Sequence, residues 1–226
     1  MKKTSPSMIA LDGPAASGKS TVGRRLADAL GYLFFDTGVM YRAVTWIARN
    51  RDMNLRDEAA ITQMAQEAQI DIRQPSQNDG RACDILIGEK DITWDVRSED
   101  VDANVSVVSS YAGVRKALSD QQRRIGLRGR VVMVGRDIGT VVLPEADLKV
   151  YMDASAEERA RRRHAEITAR GEKADYDAIL QKMIERDRFD STRAVAPLRP
   201  ANDAIVLATD DLNEEQVFIR ILEMCK

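Results

Sequence analysis

The chain has 226 residues, 44% hydrophobic and 31% charged, with a formal net charge of -2. That length accommodates one well-buried α/β domain with inserted lobes, and the near-neutral charge excludes a global field drawing the protein onto nucleic acid or a membrane surface. His164 is the only histidine, which excludes a histidine-based triad or a histidine-rich metal site. Cys83 and Cys225 are unpatterned, against a disulfide framework or zinc site and in keeping with a reducing compartment. The first seven residues are basic and polar with no apolar segment of signal length behind them, and no run reaches membrane-spanning length. The expected setting is the cytoplasm, and the expected state a monomer engaging neither nucleic acid nor membrane.

In chain order, Met8-Ile9-Ala10-Leu11 is apolar on successive positions, the mark of a strand buried on both faces. Gly13-Pro14-Ala15-Ala16-Ser17-Gly18-Lys19-Ser20 follows at once and fits G-x-x-x-x-G-K-[ST], with Thr21 next. Chance alone produces those four positions in about one chain of this length in a hundred, and here the preceding strand and a helix from Lys19 to Leu30, stopped by Gly31, supply the context. Gly13 and Gly18 allow close approach of phosphate to backbone. The loop amides and the positive end of the helix then face the anion. Lys19 reaches the β- and γ-phosphates as a point charge, and the Ser20 hydroxyl is placed to ligate Mg²⁺. These residue types in this order predict a nucleotide-phosphate site.

A second buried strand is expected at Tyr32-Leu33-Phe34-Phe35, then a helix from Gly38 to Asn50 capped by Asp36 and Thr37. Asp57 caps a helix over 58–69 with Ile61, Met64, Ala65 and Ala68 on its apolar stripe. Between 70 and 97 the pattern changes to short runs, Ile70 to Ile72, Cys83 to Ile87 and Asp91 to Thr93, parted by Asp79-Gly80 and Gly88-Glu89, which predicts a small antiparallel sheet. Helices follow over 100–110 and 114–128. Val131-Val132-Met133-Val134 is the most strand-like run and is expected at the centre of the sheet. Leu148 to Met152 forms the next strand. A capping box at Ser155-Ala156-Glu157-Glu158 opens a helix to Ala169, with His164 solvated on its arginine-rich surface. Residues 174–192 form another helix, Ala204 to Ala208 the last strand, and Asn213 to Met224 a final helix entered through Asp211. Alternating strands and helices imply parallel βαβ units, hence a five-stranded parallel sheet with helices on both faces.

Ligands in open α/β sheets bind beyond the carboxyl ends of the strands. The segments found there are Asp36-Thr37-Gly38 with Tyr41-Arg42, Gly135-Arg136-Asp137, and the helix bearing Arg159, Arg161, Arg162 and Arg163; the next helix carries Arg186, Asp190 and Arg193 on one face. Each alone is as readily a charged surface. Together, beyond a sheet whose first loop is a phosphate site, they predict two phosphate-bearing substrates. Phosphoryl transfer wants this composition, because guanidinium forks position and neutralise the transferring oxygens and no histidine or cysteine base is needed.

The segments GPAASGKST, DTGVMYRA, DITWDVRSEDV, VSVVSSYAGVRKAL, VGRDIGTVVLPEADLKVYMDASAEERARRR and RDRFDSTRAVAPL resemble the bacterial cytidylate kinases, a group of nucleoside monophosphate kinases, over nearly the whole chain. The resemblance implies a P-loop kinase core (1–57, 100–155 and 196–226), an inserted monophosphate-binding lobe holding the antiparallel sheet (58–99), and a short helical lid (156–195). It implies transfer of the γ-phosphate of ATP, with Mg²⁺, to CMP or dCMP. By the same resemblance, Arg42 and Arg136 hold the acceptor phosphate, and Thr37 stands where the family often has serine. Ser106, Arg115, Asp137 and Arg193 surround cytosine; Arg186 and Asp190 lie near sugar and phosphates, Asp190 accepting from ribose hydroxyls; Arg159 and Arg162 belong to the lid over ATP. Lys19, Arg136, Arg186 and Arg193 are the candidate catalytic residues. Cytosine offers an amino donor beside a ring-nitrogen acceptor, so its site needs an acceptor (Asp137 or the Ser106 hydroxyl) and an arginine donor. The rival expectation is a nucleotide-driven switch that hydrolyses ATP or GTP slowly and uses no small acceptor.

Overall fold

A computed structural model describes residues 5–226, so the start of the basic amino-terminal segment, Met1 to Thr4, lies outside the described residues. Five parallel strands form one sheet: β1 (Met8–Asp12), β2 (Leu33–Asp36), β6 (Val131–Gly135), β7 (Leu148–Asp153) and β8 (Ile205–Ala208), in the order β2-β6-β1-β7-β8. The expected central strand, β6, is interior but not in the middle. β1 takes that place, pairing Asp12 with Gly135 on one side and with Tyr151 on the other. Runs apolar on every position suit such strands because both faces are buried. Ile9 and Leu11 pack with Val22 and Leu26 of α1 (Lys19–Leu30) and with Val217 and Ile221 of α8 (Glu214–Met224). Ala10, Val131 and Met133 pack on the opposite face with Met40 and Val44 of α2 (Gly38–Asn50) and Leu118 of α5 (Ala112–Gly126).

The smaller antiparallel sheet has the order β3-β4-β5, from β3 (Ile70–Arg73), β4 (Asp84–Ile87) and β5 (Lys90–Asp91). Its third strand ends at Asp91, short of the expected 91–93, because Ile92 is buried and Asp91 turns back to accept from the Thr93 amide. α3 (Glu58–Glu67) precedes this sheet, and Asp57 caps it through the Ala60 amide at 3.0 Å. α4 (Glu99–Ser110) leads from it to α5, while α6 (Ala156–Ala169) and α7 (Tyr176–Thr192) pack on each other between β7 and β8.

Several local expectations change. Thr37 occupies the cap position of α2, but its hydroxyl donates to the Val134 carbonyl at 3.0 Å, and the Asp36 carboxylate accepts from Gly38 instead. Ser155 accepts from the Glu158 amide, yet the capping box is only half made: the Ser155 amide donates to Asp210 at 2.8 Å, and Glu158 turns to Arg161 and Arg162. The complete capping box sits at α8, between Asn213 and Gln216, so Asn213 and not Asp211 opens that helix. His164 is half-buried, its ring edge-on to Tyr176 of α7 at 6.3 Å.

A π-helical turn over Ile138–Val142 was not expected. Its signature is the Leu143 amide donating to the Ile138 carbonyl at 2.7 Å, and it seals the end of β6 directly after Arg136-Asp137.

Candidate active site

The loop between β1 and α1 is shaped by backbone. At Gly13 φ is +149°, and a Cβ there would lie 2.3 Å from the Met152 carbonyl oxygen, so no other residue lets the chain leave β1 past β7. Gly18 caps α1 in the left-handed region at φ +86°. Lys19 is buried, its ammonium donating to the Pro14 carbonyl at 2.5 Å and to the Ser17 hydroxyl at 3.1 Å. Burial, reinforced by the positive charge of Arg136, lowers its pKa to about 7. Ser20, the next residue, donates its hydroxyl to Asp36 at 2.6 Å.

Two cavities meet over this loop. One, of about 690 Å³, is lined by the loop from Ala15 to Thr21 and by Thr37, Arg42, Ser106, Arg115, Arg136, Asp137, Arg186 and Arg193. Six arginines from five separate segments thus line one cleft with Lys19: Arg42, Arg115, Arg136, Arg163, and Arg186 and Arg193 from α7 and its end. The other, of about 650 Å³, lies between Gly18, Thr21, Arg161, Arg162 and the 210–214 segment. Arg163 and Glu166 line both.

Among the arginines of the first cleft, Arg42 donates to the Val96 carbonyl at 3.0 Å and pairs with Asp102. Arg136 pairs with Asp190 at 2.7 Å, Arg186 reaches the same oxygen at 3.2 Å, and Arg193 meets the other oxygen at 3.4 Å. Burial alone would raise the Asp190 pKa; the Arg136 charge and hydrogen bond and then Arg186 outweigh it and hold the carboxyl below its usual range. Asp137 sits between Arg115 at 3.5 Å and Arg193 at 3.7 Å. Burial raises its pKa against the pull of those two cations. Among the described residues, the Nε of Arg115 and an Nη of Arg193 are buried donors without a hydrogen-bond partner.

Arg159 and Asp190 are sequence-predicted residues that line neither cleft. Asp190 is fully enclosed by its arginines. Arg159 is 2% exposed and donates to the Ala15 carbonyl at 3.0 Å and to Asp187, tying the phosphate loop to α6 and α7. Arg162 lines the second cleft while donating to the Thr209 carbonyl at 2.5 Å. Sequence reasoning gave no site role to Asp12, Asp36 or Asp187. For Asp36 the signal was its place at the end of a strand opposite the phosphate loop; for Asp187 it was its place one residue after Arg186.

A phosphate loop on the first strand of a five-stranded parallel sheet, facing a second anion cleft beyond the same strand ends, defines a P-loop kinase. A family model described as "Cytidylate kinase" matches residues 9–226. Three relatives carry the name cytidylate kinase. That from Herpetosiphon aurantiacus is 48% identical over 219 residues, 97% of this chain and 94% of the relative. That from Roseiflexus castenholzii is 47% identical over 227 residues, 98% and 96% of the two chains, and that from Carboxydothermus hydrogenoformans 44% over 216 residues, 96% of each. The chain belongs to the cytidylate kinase family.

Proposed function

We propose that the protein transfers the γ-phosphoryl group of ATP in line to CMP and dCMP, giving CDP and dCDP. The observation that carries the choice of base is Asp137 held between Arg115 and Arg193, two cations with unspent buried donors. The cytosine amino group donates to the carboxylate, and its ring nitrogen and carbonyl take the arginine donors. Uracil reverses donor and acceptor at two of these positions and leaves buried groups unpaired, a mismatch that discriminates by about 10⁴ or more where the site is fully desolvated.

ATP occupies the phosphate loop and the second cleft, with Arg162 beside it, and the acceptor phosphate sits against Arg42 and Arg136. Lys19, Arg136, Arg186 and Arg193 offset the charge on the transferring oxygens. The acceptor phosphate is already anionic near neutral pH, so no general base is required, which agrees with the lone histidine far along α6. For Asp190 to accept from ribose hydroxyls, its arginine partners must let go. The incoming phosphate supplies the competing anion, drawing Arg136 and Arg186 onto itself and freeing carboxylate oxygens.

Ser20 and Asp36 present two hard oxygens 2.6 Å apart at the mouth of the loop. That donor set suits Mg²⁺, which takes few protein ligands and leaves the other positions to phosphate and water. Held by Ser20 and Asp36, Mg²⁺ would offset the negative charge of the transferring phosphoryl group. The segment 58–99 acts as the monophosphate-binding lobe and 156–195 as the lid that excludes water before transfer.

An acceptor panel tests the reading. With Mg-ATP, CMP and dCMP should give ADP far faster than UMP, AMP, GMP or shikimate. Equal turnover with UMP or AMP removes the cytosine assignment and leaves the kinase class standing; ATP consumption without any acceptor favours the switch.

A further inference from the structure

Asp12 is an acid in a strand whose inner residues are apolar, and it is 4% exposed. Burying a carboxylate is costly unless its oxygens are hydrogen-bonded. Its two oxygens accept from the Ile138 amide at 2.8 Å and the Gly139 amide at 2.7 Å. Those are the first two amides of the π-turn, the ones a helical start leaves without partners. Burial raises the Asp12 pKa to about 6 against the pull of these two amides, so the group is ionised at pH 7.5 and both oxygens are acceptors.

The residue at the cap position of this turn is Asp137. Aspartate there ordinarily accepts from an amide of its own first turn. Asp137 makes no such bond; its carboxylate faces Arg115 and Arg193 in the cleft. The capping work has passed from Asp137 to Asp12, an acid from a neighbouring strand. Gly139 keeps this arrangement close. A Cβ on it would lie 3.2 and 3.3 Å from the Lys149 aliphatic chain and 3.4 Å from the Asp12 carboxylate, so that either the lysine chain or the turn must give by a few tenths of an ångström.

We propose that Asp12 is a positioning residue for acceptor choice: by capping the Ile138–Val142 turn from β1 it leaves the Asp137 carboxylate committed to the arginines of the cleft. Without it, Asp137 turns back to its own orphan amides and Arg115 and Arg193 lose the carboxylate between them. The inference rests on the CMP reading above.

The test is steady-state kinetics of the full-length enzyme with CMP and with UMP at saturating Mg-ATP, together with the KM for ATP. Asp12→Asn keeps the shape but sets an amide donor against one of the two N–H groups. The expected result is a fall of about tenfold or more in the CMP-to-UMP ratio of kcat/KM, arising mainly from a higher KM for CMP, with the KM for ATP within about threefold of wild type. Gly139→Ala should lower the same ratio by about threefold. A ratio unchanged within about twofold in Asp12→Asn, with CMP and UMP turnover falling together or only the thermal midpoint moving, overturns the proposal and leaves Asp12 a structural acid. Should Asp12→Asn fail to fold, the Gly139→Ala ratio decides alone, and an unchanged value overturns it. A wild-type enzyme with no preference for CMP over UMP is a different failure, that of the underlying reading.

Discussion

In the loop before β4 of the antiparallel sheet, Arg81 is 5% exposed, and its three guanidinium nitrogens donate to Asp79, Asp84 and Asp91 at 2.6 to 3.0 Å. At the cleft proposed for the acceptor, Arg115, Arg136, Arg186 and Arg193 share two acids among the described residues, Asp137 and Asp190. The same two residue types therefore build opposite things. Around Arg81 acids outnumber cations and every guanidinium nitrogen has a carboxylate partner, so the positive charge is spent within the cluster. At the cleft cations outnumber acids, donors remain unpaired, and the surplus positive charge matches a monophosphate dianion. What separates a binding cluster from a structural one is the balance of charge and the unspent hydrogen bonds, not the presence of buried ion pairs.

The sharpest way to break that contrast is Arg136→Ala. Arg136 pairs with Asp190, and the proposed function has it hold the acceptor phosphate. Loss of one preorganised cation at the reacting oxygens should depress kcat/KM for CMP by about 10² to 10³, while the Kd for ATP, measured by equilibrium titration, stays within about threefold. A selective loss of ATP affinity would move Arg136 to the donor side.

A second effect is smaller and depends on pH. Free Lys19, with its pKa lowered to about 7 by burial and then by Arg136, is half neutral near neutrality. Phosphate favours the charged form, so its pKa rises on ATP binding. Between about pH 7 and the bound-state pKa, ATP binding therefore takes up a proton, and affinity should fall by at most about tenfold per pH unit as pH rises. Calorimetry in buffers of different ionisation enthalpy reads the proton directly. Binding without proton uptake at pH 8 would mean that Lys19 is already charged in the free protein.

These outcomes also mark how far the sequence could be read. The phosphate loop was legible because its chemistry lies within nine consecutive residues and works largely through backbone. Five strands and their helices were legible from period and continuity of apolar residues. The pooling of Arg42, Arg115, Arg136, Arg186 and Arg193 in one cleft was legible only through the rule that strand ends converge. What each arginine is bonded to was not. Arg159 and Arg162 stand three positions apart on one helix, yet the first is locked onto Ala15 and Asp187 and the second lines a cleft. Both also have local partners on the helix, but the ones that set them apart, Ala15 and Asp187 for Arg159 and Thr209 for Arg162, come from segments far away in the chain, and no local pattern encodes them. The π-turn and the service Asp12 gives it escaped for the same reason: an acid at the end of a strand carries no mark of the amides it will meet after the sheet assembles.

The smallest effect expected on catalysis, and the plainest check on the contrast, is Arg81→Met. If the Arg81 cluster is only structural, removing its cation should change kcat/KM of the folded enzyme by less than about twofold while lowering the thermal midpoint. In the wild type the Arg81 hydrogen bonds hold Asp79 well below the usual carboxylate range. Burial would raise Asp84 and Asp91, but Arg81 with its neighbouring donors also brings both below their ordinary values. Depressed folded-state values contribute stability that is present above about pH 4 and is lost as pH falls through them. In Arg81→Met three carboxylates crowd together without a cation, their folded values rise, and the sign reverses. The variant's deficit should be largest at pH 7 and shrink toward pH 4, as protonation relieves the repulsion. Thermal unfolding at the two pH values measures it. A deficit that grows in acid would contradict the role given to the three carboxylates, and a loss of CMP turnover as large as that of Arg136→Ala would show that the Arg81 cluster itself takes part in catalysis and that charge balance alone does not tell the two clusters apart.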